Sequence, residues 1–443
     1  MSINLETFDT NQVGIKIYDL ISELYPICRS ITGNGVRKTL HILERYISLA
    51  IYEVPTGSQV FDWVVPKEWN IHDAYVKNAK GEKVIDFEKS NLHVLNYSTP
   101  IHQRMPLTEL KEHLFSMPEY PDLIPYRTSY YRENWGFCLS YRTWQELEEG
   151  EYEVYIDSAL EDGFLTYGEC FLPGETDDEV LFSCHICHPS LCNDNLSGIS
   201  VATFLASYLG SLPSKRYSYR FLFVPGTIGS ITWLCLNENQ AHRIKHGLVL
   251  SGVGDAGNMT YKKSRRGNAE IDQAVIHALK VSNKAYAVEE FSPYGYDERQ
   301  YCSPGFNLPV GRLSRTPFGQ YPEYHTSADN LEFIKPASLA DSFATCLNVI
   351  QVLEHNKNYL NANPKCEPQL GKRGLYGTLG GKQNTKAREM AMLWVLNLSD
   401  GTHTLLDIAE RAGLPFQMIY EVTEALLQAG LLREYSDGIE KTR

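Results

Sequence analysis

Short apolar runs alternate with helical patterns through the second half of the chain. The runs at 180–183, 219–224 and 247–251 are rich in apolar residues, and the segments 198–209 and 230–237 carry apolar residues at helical spacing. Such runs are typical of parallel strands covered on both faces, whereas half-exposed strands alternate apolar and polar residues. The pattern therefore predicts an α/β sheet with helices between its strands and with catalytic groups at the carboxyl ends of strands.

Two other patterns precede this sheet. Apolar residues at helical spacing fill 12–46 apart from the turn residues of 30–35, which predicts two helices joined by a turn. From 51 to about 165, aromatic and β-branched residues dominate between turn-forming pairs. This second pattern predicts a β-rich module inserted into the first domain.

The pattern changes again towards the end of the chain. Residues 357–382 are polar and glycine-rich, which predicts a linker. Helical patterns at 390–398, 405–412 and 415–428 follow, with a tight turn before the third, as in a helix-turn-helix. The predicted domains are an α/β domain over 1–60 and 165–360, an inserted β-rich domain over 61–164, and a winged helix-turn-helix domain over 383–443.

Charge and composition narrow the range of partners. The chain has 443 residues and a formal net charge of −13, whereas nucleic acids and anionic membranes select basic surfaces. Its first residues carry no basic segment followed by an apolar run, and no stretch is long and apolar enough to span a membrane. Ten cysteines are scattered without the spacing of a short disulfide framework. We expect a cytoplasmic protein that binds neither nucleic acid nor membrane.

The C-terminal helices have the wrong charge for DNA. Residues 387–432 contain two arginines against six acidic residues, and the presumed recognition helix at 415–428 contains Glu421 and Glu424 but no lysine or arginine. Phosphate contacts dominate affinity for DNA, so this face favours protein interaction or homo-oligomer formation instead.

One segment and one distant motif carry the strongest chemical signal. His185, His188 and Asp194 lie between an apolar run and the following helix, Asp255 follows a later run, and His325 lies far downstream. Divalent metals at hydrolytic sites take imidazole nitrogen and carboxylate oxygen and keep one position for water. These residues therefore predict a metal site.

Other roles stay open for several of these residues. His188 lies in a loop and could hydrogen-bond a backbone carbonyl, and Asp255 precedes a glycine and could cap a turn. Cys184, Cys187 and Cys192 could be soft metal ligands, but their spacing lacks a second cysteine pair and favours small buried residues.

The order of these motifs extends the prediction. His185 is followed by Asn193-Asp194-Asn195-Leu196-Ser197-Gly198, and Ser230, Asp255 and Tyr324-His325-Thr326 come later in the chain. The sequence resembles the zinc aminopeptidases of the M28 type over its whole length, and most closely their aminopeptidase-like branch with an inserted β domain and a C-terminal winged helix.

The resemblance implies an α/β/α core of the zinc-peptidase (phosphorylase/hydrolase-like) fold and hydrolysis of an amide or peptide bond in a small-molecule or peptide substrate. It implies one or two zinc ions. His185, Asp194 and Asp255 would hold one ion, while His325, with His188, would complete a second, weaker site.

The chain departs from the family pattern at two places. Where the family carries its general-base glutamate and a ligand glutamate, this chain has Gly226 and Thr227, and Cys187 replaces the aspartate two residues after the first histidine. The lost ligand favours a single zinc. A water acidified by zinc to a pKa of about 7 also needs a proton acceptor, which the departure removes.

Four further residues are candidates for the missing roles. Glu298 and Glu323 are candidate proton acceptors, Arg299 could bind a substrate carboxylate bidentately, and Tyr324 is a candidate substrate contact. Glu298 could equally form a surface ion pair with Arg299. Two functions therefore stay open: a zinc hydrolase, or a metal-binding scaffold that has kept a peptidase fold without its chemistry.

Overall fold

The computed structural model describes residues 10–375 and 382–435. Contacts divide this part of the chain into two compact units. The first comprises the described residues up to Asp272 together with Ala285–Ala344, and the second comprises Gln273–Lys284 and the described residues from Thr345 onward.

The described residues form α-helices along the whole chain. They are α1 (Thr10–Leu24), α2 (Asn34–Leu43), α3 (Leu107–Leu110), α4 (Tyr141–Gln145), α5 (Gly198–Ser211), α6 (Ile228–Leu236), α7 (Glu270–Val281), α8 (Glu298–Tyr301), α9 (Pro336–His355), α10 (Lys382–Leu398), α11 (Leu405–Ala412) and α12 (Phe416–Gln428).

The strands follow the same order. They are β1 (Ala50–Pro55), β2 (Gln59–Val60), β3 (Trp63–Val64), β4 (Glu68–Lys77), β5 (Lys83–Asp86), β6 (Ile101–Pro106), β7 (Leu114–Phe115), β8 (Phe137–Cys138), β9 (Glu151–Glu161), β10 (Phe164–Leu172), β11 (Glu179–His185), β12 (Ser218–Val224), β13 (Ile244–Leu250), β14 (Met259–Lys262), β15 (Tyr286–Glu289), β16 (Val310–Ser314), β17 (Asn358–Asn361), β18 (Asp400–Thr404) and β19 (Leu432–Glu434).

The central sheet of the first unit has the strand order β1-β10-β12-β11-β13-β16-β14-β15. Its middle strands β12, β11, β13 and β16 run parallel, and β11 and β12 are buried along their whole length. The chain leaves β11 through α5 into β12 on one side, and returns through α6 to β13 on the other. A crevice therefore opens at the carboxyl end of β11, where open α/β sheets bind ligands.

A second, antiparallel sheet in the same unit has the order β5-β4-β9-β6. Buried and exposed residues alternate along the first half of β9, as expected for a sheet with one covered face. Trp69 fills the covered side, and its indole N–H donates to the Ser98 carbonyl at 2.8 Å. The predicted strands are present, while a separate inserted domain over 61–164 stays a prediction.

The second unit combines α10, α11 and α12 with the three-stranded sheet β18-β17-β19. Thr404 and Asp407 form a reciprocal capping box at the start of α11, and Gly413 ends that helix with a φ of 65°. The three predicted helices are confirmed. Part of the predicted linker is wrong because 358–361 is β17, which pairs with two distant strands. Residues 376–381 of that linker lie outside the described residues.

The sequence predicted no membrane-spanning segment. Among residues 10–375 and 382–435, no helix has the length and apolar character needed to cross a membrane.

Candidate metal site

The central group of the site stands at the carboxyl end of β11. His185 is the last residue of that strand, and Asp194 lies in the irregular π-helical turn Cys192–Ser197 that leads into α5. Asp329 fixes this turn because its two carboxylate oxygens accept the backbone N–H groups of Asn193 at 2.6 Å and Asp194 at 2.9 Å. The Asp194 side chain is thereby aimed at the strand end.

Three imidazoles converge on the Asp194 carboxylate. His185 Nε2 lies 2.7 Å from Oδ1, while His325 Nε2 lies 3.0 Å and His188 Nε2 3.8 Å from Oδ2. Ligand atoms of His185, His188 and Asp194 all lie within 4.8 Å of one another, and these three side chains are buried. The structure therefore brings together four of the five predicted metal ligands.

The surroundings of Asp194 and His188 favour the protonation states that metal binding requires. Burial by itself would raise the pKa of Asp194, but His188 and His185 hold it well below its usual range. Burial lowers the pKa of His188 well below its usual range. Metal ligation needs an ionised carboxylate and a neutral imidazole, and near neutral pH these two residues have those forms.

His325 is held by the inserted segment. Its carbonyl accepts the Tyr126 N–H at 2.7 Å, and the Tyr126 ring lies 5.1 Å from the rings of both His325 and His188. His325 also has a φ of 54°, which a residue with a side chain rarely adopts. Strained backbone of this kind persists where surrounding structure enforces it, commonly at functional sites.

Arg29 holds the loop that carries His188. The buried guanidinium donates from Nε to the His188 carbonyl at 2.7 Å and from Nη2 to the Pro189 carbonyl at 3.1 Å. Sequence reasoning missed this residue because it precedes His188 by 159 positions and no local motif marks it.

Asp255 lies outside the imidazole group. Its carboxylate accepts Thr316 Oγ1 at 2.7 Å, the Gly257 N–H at 2.6 Å and Asn193 Nδ2 at 3.0 Å. These bonds tie together the loops after β13 and β16. Of the two roles that the sequence left open for Asp255, metal ligand or turn cap, these hydrogen bonds favour the turn cap.

Glu298 is buried in an ion pair. Its Oε1 lies 2.9 Å from Lys262 Nζ, and its Oε2 accepts the Tyr296 N–H at 2.9 Å. Both oxygens are thus already engaged by groups of the protein. The geometry therefore argues against Glu298 as the general base, and its partner is Lys262 rather than Arg299.

The remaining predicted residues lie around the same edge. Tyr324 stacks its ring 4.0 Å from that of His325, and Glu323 is half-buried just before it.

All ten cysteines are free. Cys187 Sγ lies 3.5 Å from His188 Nδ1, and burial raises the pKa of Cys187 to about 12, so it is a neutral thiol in the metal-free protein.

With the fold and the site in place, comparison with known proteins identifies the family. Residues 18–356 match the model of a domain of unknown function, DUF4910, and residues 357–434 match a winged helix-turn-helix model. The chain belongs to the DUF4910 family. The predicted winged helix is confirmed.

A near relative comes from Clostridium acetobutylicum. It is 55% identical over 431 residues, covering 97% of this chain and 99% of its own, and is named provisionally for polysaccharide biosynthesis and an aminopeptidase-like domain. A crystal structure from the same organism, provisionally named a peptidase, has a TM-score of 0.92 at 54% identity, covering 96% of this chain and 98% of its own.

A more distant structure shows the wider fold. The zinc aminopeptidase of Bacillus subtilis has a TM-score of 0.56 at 13% identity, covering 77% of this chain and 94% of its own. At that identity the similarity shows the fold alone. The predicted zinc-peptidase type of α/β core is thereby confirmed.

Tyr296 fills the space that a side chain at position 226 would need. A Cβ placed on Gly226 would lie 2.1 Å from Tyr296 Cε1, so the phenol already fills the space into which a side chain would point. The Tyr296 ring also lies 3.9 Å from the His185 ring. Aromatic packing on the imidazole thus replaces a carboxylate at this corner of the site.

Asp297 is the carboxylate that sequence reasoning missed. Ser230 Oγ donates to its Oδ1 at 2.7 Å, which places it beside the turn after β12. Its Oδ2 is buried and has no hydrogen-bond partner among the described residues. Burial raises the pKa of Asp297 to about 7, although His185 and the Ser230 hydrogen bond oppose the rise. In the sequence, only its position directly before the candidate base Glu298 could have marked Asp297 as a candidate.

Proposed function

We propose that this protein is a zinc-dependent, aminopeptidase-like hydrolase that cleaves an amide or peptide bond in a small substrate. The observation that carries the proposal is the convergence of three imidazole Nε2 atoms on the single buried carboxylate of Asp194. Such a set of nitrogen and carboxylate donors fits zinc.

One zinc ion suits these residues better than two. His185, His188 and Asp194 would be its ligands, and His325 is the fourth candidate donor. Three protein ligands and one open position are common at catalytic zinc sites. Asp255 is engaged by its own loops, and positions 226 and 227 carry no carboxylate for a second ion.

Bound zinc would acidify a water and polarise the carbonyl of the scissile bond. For the proton we assign Asp297, because Oδ2 has no hydrogen-bond partner in the described part of the chain. A base with a pKa of about 7 is also well matched to work near neutral pH. Glu323, half-buried beside the metal group, is the second candidate.

A metal-binding scaffold is the competing function. Positions 226 and 227 carry no carboxylate, Tyr296 fills the space beside Gly226, and the substitute candidate Glu298 is engaged by Lys262. A scaffold would keep the metal and show no turnover, whereas the hydrolase would show both.

The first experiment measures zinc per chain by elemental analysis of protein purified without chelator. We expect about one zinc per chain in the wild type, and its loss in Asp194→Ala and His185→Ala. His102→Ala, which removes an exposed imidazole, is the matched control and should keep the metal. His325→Ala distinguishes three ligands from four. A wild type that takes up no zinc would overturn the proposal.

The second experiment measures hydrolysis of a panel of aminoacyl amides and dipeptides by the zinc-loaded protein. Because the Clostridium relative is named for polysaccharide biosynthesis, we add sugars that carry an amide bond to that panel. Asp194→Ala should abolish turnover, and Asp297→Asn should lower kcat by about 100-fold or more while zinc is retained. Turnover absent from every substrate, with zinc bound, would favour the scaffold.

A further inference from the structure

A cleft of about 240 Å³ lies in the first unit. One wall is aromatic and comes from the inserted segment, with Trp63, Tyr130 and Tyr131. The lining also includes the turn at Gly226 and Arg299. This volume suits a small group such as one residue or one ring of a ligand, and apolar walls with a few polar groups are typical of ligand sites.

Two tyrosines that line the cleft also connect it to the metal group by direct contacts. Tyr296 lines the cleft and also packs its ring 3.9 Å from His185. Tyr130 lines it as well, and its hydroxyl lies 2.9 Å from that of Tyr126, whose ring lies against His188. The cleft is therefore separated from His185 by little more than the Tyr296 ring.

Arg299 indicates the charge of the ligand. Its Nε is shielded from water and has no hydrogen-bond partner, and among the described residues its guanidinium forms no ion pair. By contrast, the neighbouring cation Lys262 is paired with Glu298. The side chain as a whole is half-buried, and a guanidinium without a protein counter-ion can pair with an anionic ligand through its terminal nitrogens.

Two residues of the aromatic wall, Trp63 and Tyr131, are partly exposed to solvent. Trp63 and Tyr131 are 46% and 49% exposed, and their ring centroids are 5.5 Å apart. Tyr131 also has a φ of 65°. Two exposed aromatic rings held together at a cleft mouth provide a surface for the body of a small ligand.

We propose that this cleft binds a substrate group ending in an oxyanion, with Arg299 as its partner and the Trp63–Tyr131 pair against the rest of the group. A guanidinium matches carboxylate and phosphate equally, and these are the two sources of the oxyanion. The inference rests on the proposed function, because it makes the cleft the specificity site of the same reaction centre.

The test uses full-length protein stripped of metal by chelator, so that neither zinc nor turnover contributes. Binding of glutarate, of glycerol 3-phosphate and of the uncharged glutaramide is measured by titration calorimetry. We expect one or both oxyanions to bind and glutaramide to bind far more weakly. Arg299→Gln should weaken oxyanion binding by about tenfold or more, and Arg299→Lys should lose less.

Arg132→Gln is the matched control, because Arg132 is exposed and next to Tyr131 but does not line the cleft. It should bind the oxyanions as the wild type does. Whichever of glutarate and glycerol 3-phosphate binds more tightly shows whether the natural ligand group ends in a carboxylate or a phosphate. Equal binding of glutaramide and glutarate, unchanged affinity in Arg299→Gln, or no oxyanion binding by the folded wild type would overturn the inference. Failure of the zinc measurement alone would overturn only the proposed function.

Discussion

Asp194 can gather three imidazoles because a second carboxylate holds its backbone. Asp329 accepts the N–H groups of Asn193 and Asp194, so the turn cannot rotate the Asp194 side chain away without losing two hydrogen bonds. Groups of this kind, one step removed from the metal, orient the ligands and are part of the affinity.

Replacing Asp329 by asparagine should therefore weaken zinc binding while the ligands stay in place. Asparagine offers one acceptor oxygen, and its amide would set an N–H against a backbone N–H. We expect zinc affinity to fall about 10- to 100-fold, measured by competition with a chromogenic chelator. Glu332→Gln changes an exposed carboxyl nearby and should have no effect. Unchanged affinity in Asp329→Asn would show that the turn is held by other contacts.

Asp297 should make the stability of the metal-free protein depend on pH. Its pKa is about 7 in the folded protein and about 3.9 when unfolded, so the folded state keeps a proton that the unfolded state loses. Stability from this group is thus full below about pH 4 and is lost as the pH rises to about 7. The loss is on the order of a few kcal/mol.

Asp297→Asn removes that loss. Its stability relative to wild type should rise steadily across the same pH window, measured by urea unfolding of chelator-treated protein. Asp62→Asn changes an exposed carboxyl and is the control. A stability difference between Asp297→Asn and wild type that stays constant with pH would contradict the raised pKa.

Residue chemistry was the part of the site that the sequence could predict. His185, His188, Asp194 and His325 lie in recognisable motifs, and the structure brings them together. Contacts between distant segments were not predictable, because no local pattern encodes them. Arg29 on the His188 loop and the unpartnered oxygen of Asp297 are of this kind.

At the scale of elements, the site depends on how closely two turns approach. The turn between β12 and α6 carries Gly226, and the turn before α8 carries Tyr296, whose ring would meet any side chain at position 226. The two positions therefore constrain each other: a carboxylate at 226 requires another arrangement of Tyr296.

This constraint predicts a strong coupling between the two positions. Gly226→Ala should cost roughly 1–3 kcal/mol of unfolding free energy, because the new methyl overlaps the Tyr296 ring. In a Tyr296→Ala background that cost should fall by about 1 kcal/mol or more, measured by a double-mutant cycle of urea unfolding. Gly305→Ala, where a Cβ would meet open space, is the control. Additive effects would rule out the contact.

The elements themselves were largely predictable, and the reason is burial. Strands β11 and β12 are buried along their length, so their apolar runs stand out in the sequence. β17 was missed because its four residues carry little pattern, and it is a strand only by pairing with β18 and β19. Tertiary partners decide such short strands.

At the scale of the whole molecule, the second unit raises the question of DNA. A winged helix-turn-helix is a common DNA-binding fold, and the family match establishes that fold here. Fold does not fix function, however, and the charge of the surface decides whether phosphates are attracted. α12 carries Glu421 and Glu424 and no lysine or arginine, in a chain with a net charge of −13.

We therefore predict that the full-length protein does not bind duplex DNA at physiological salt. Fluorescence anisotropy with a labelled random-sequence duplex, at about 50 mM and about 150 mM salt, measures this because phosphate binding weakens steeply with salt. The paired variant Glu421→Lys/Glu424→Lys tests the reason: if charge alone excludes DNA, it should bind at low salt. Salt-dependent binding by the wild type would contradict the prediction. Absence of binding in both proteins would show that the helix face, as well as its charge, is unsuited to DNA.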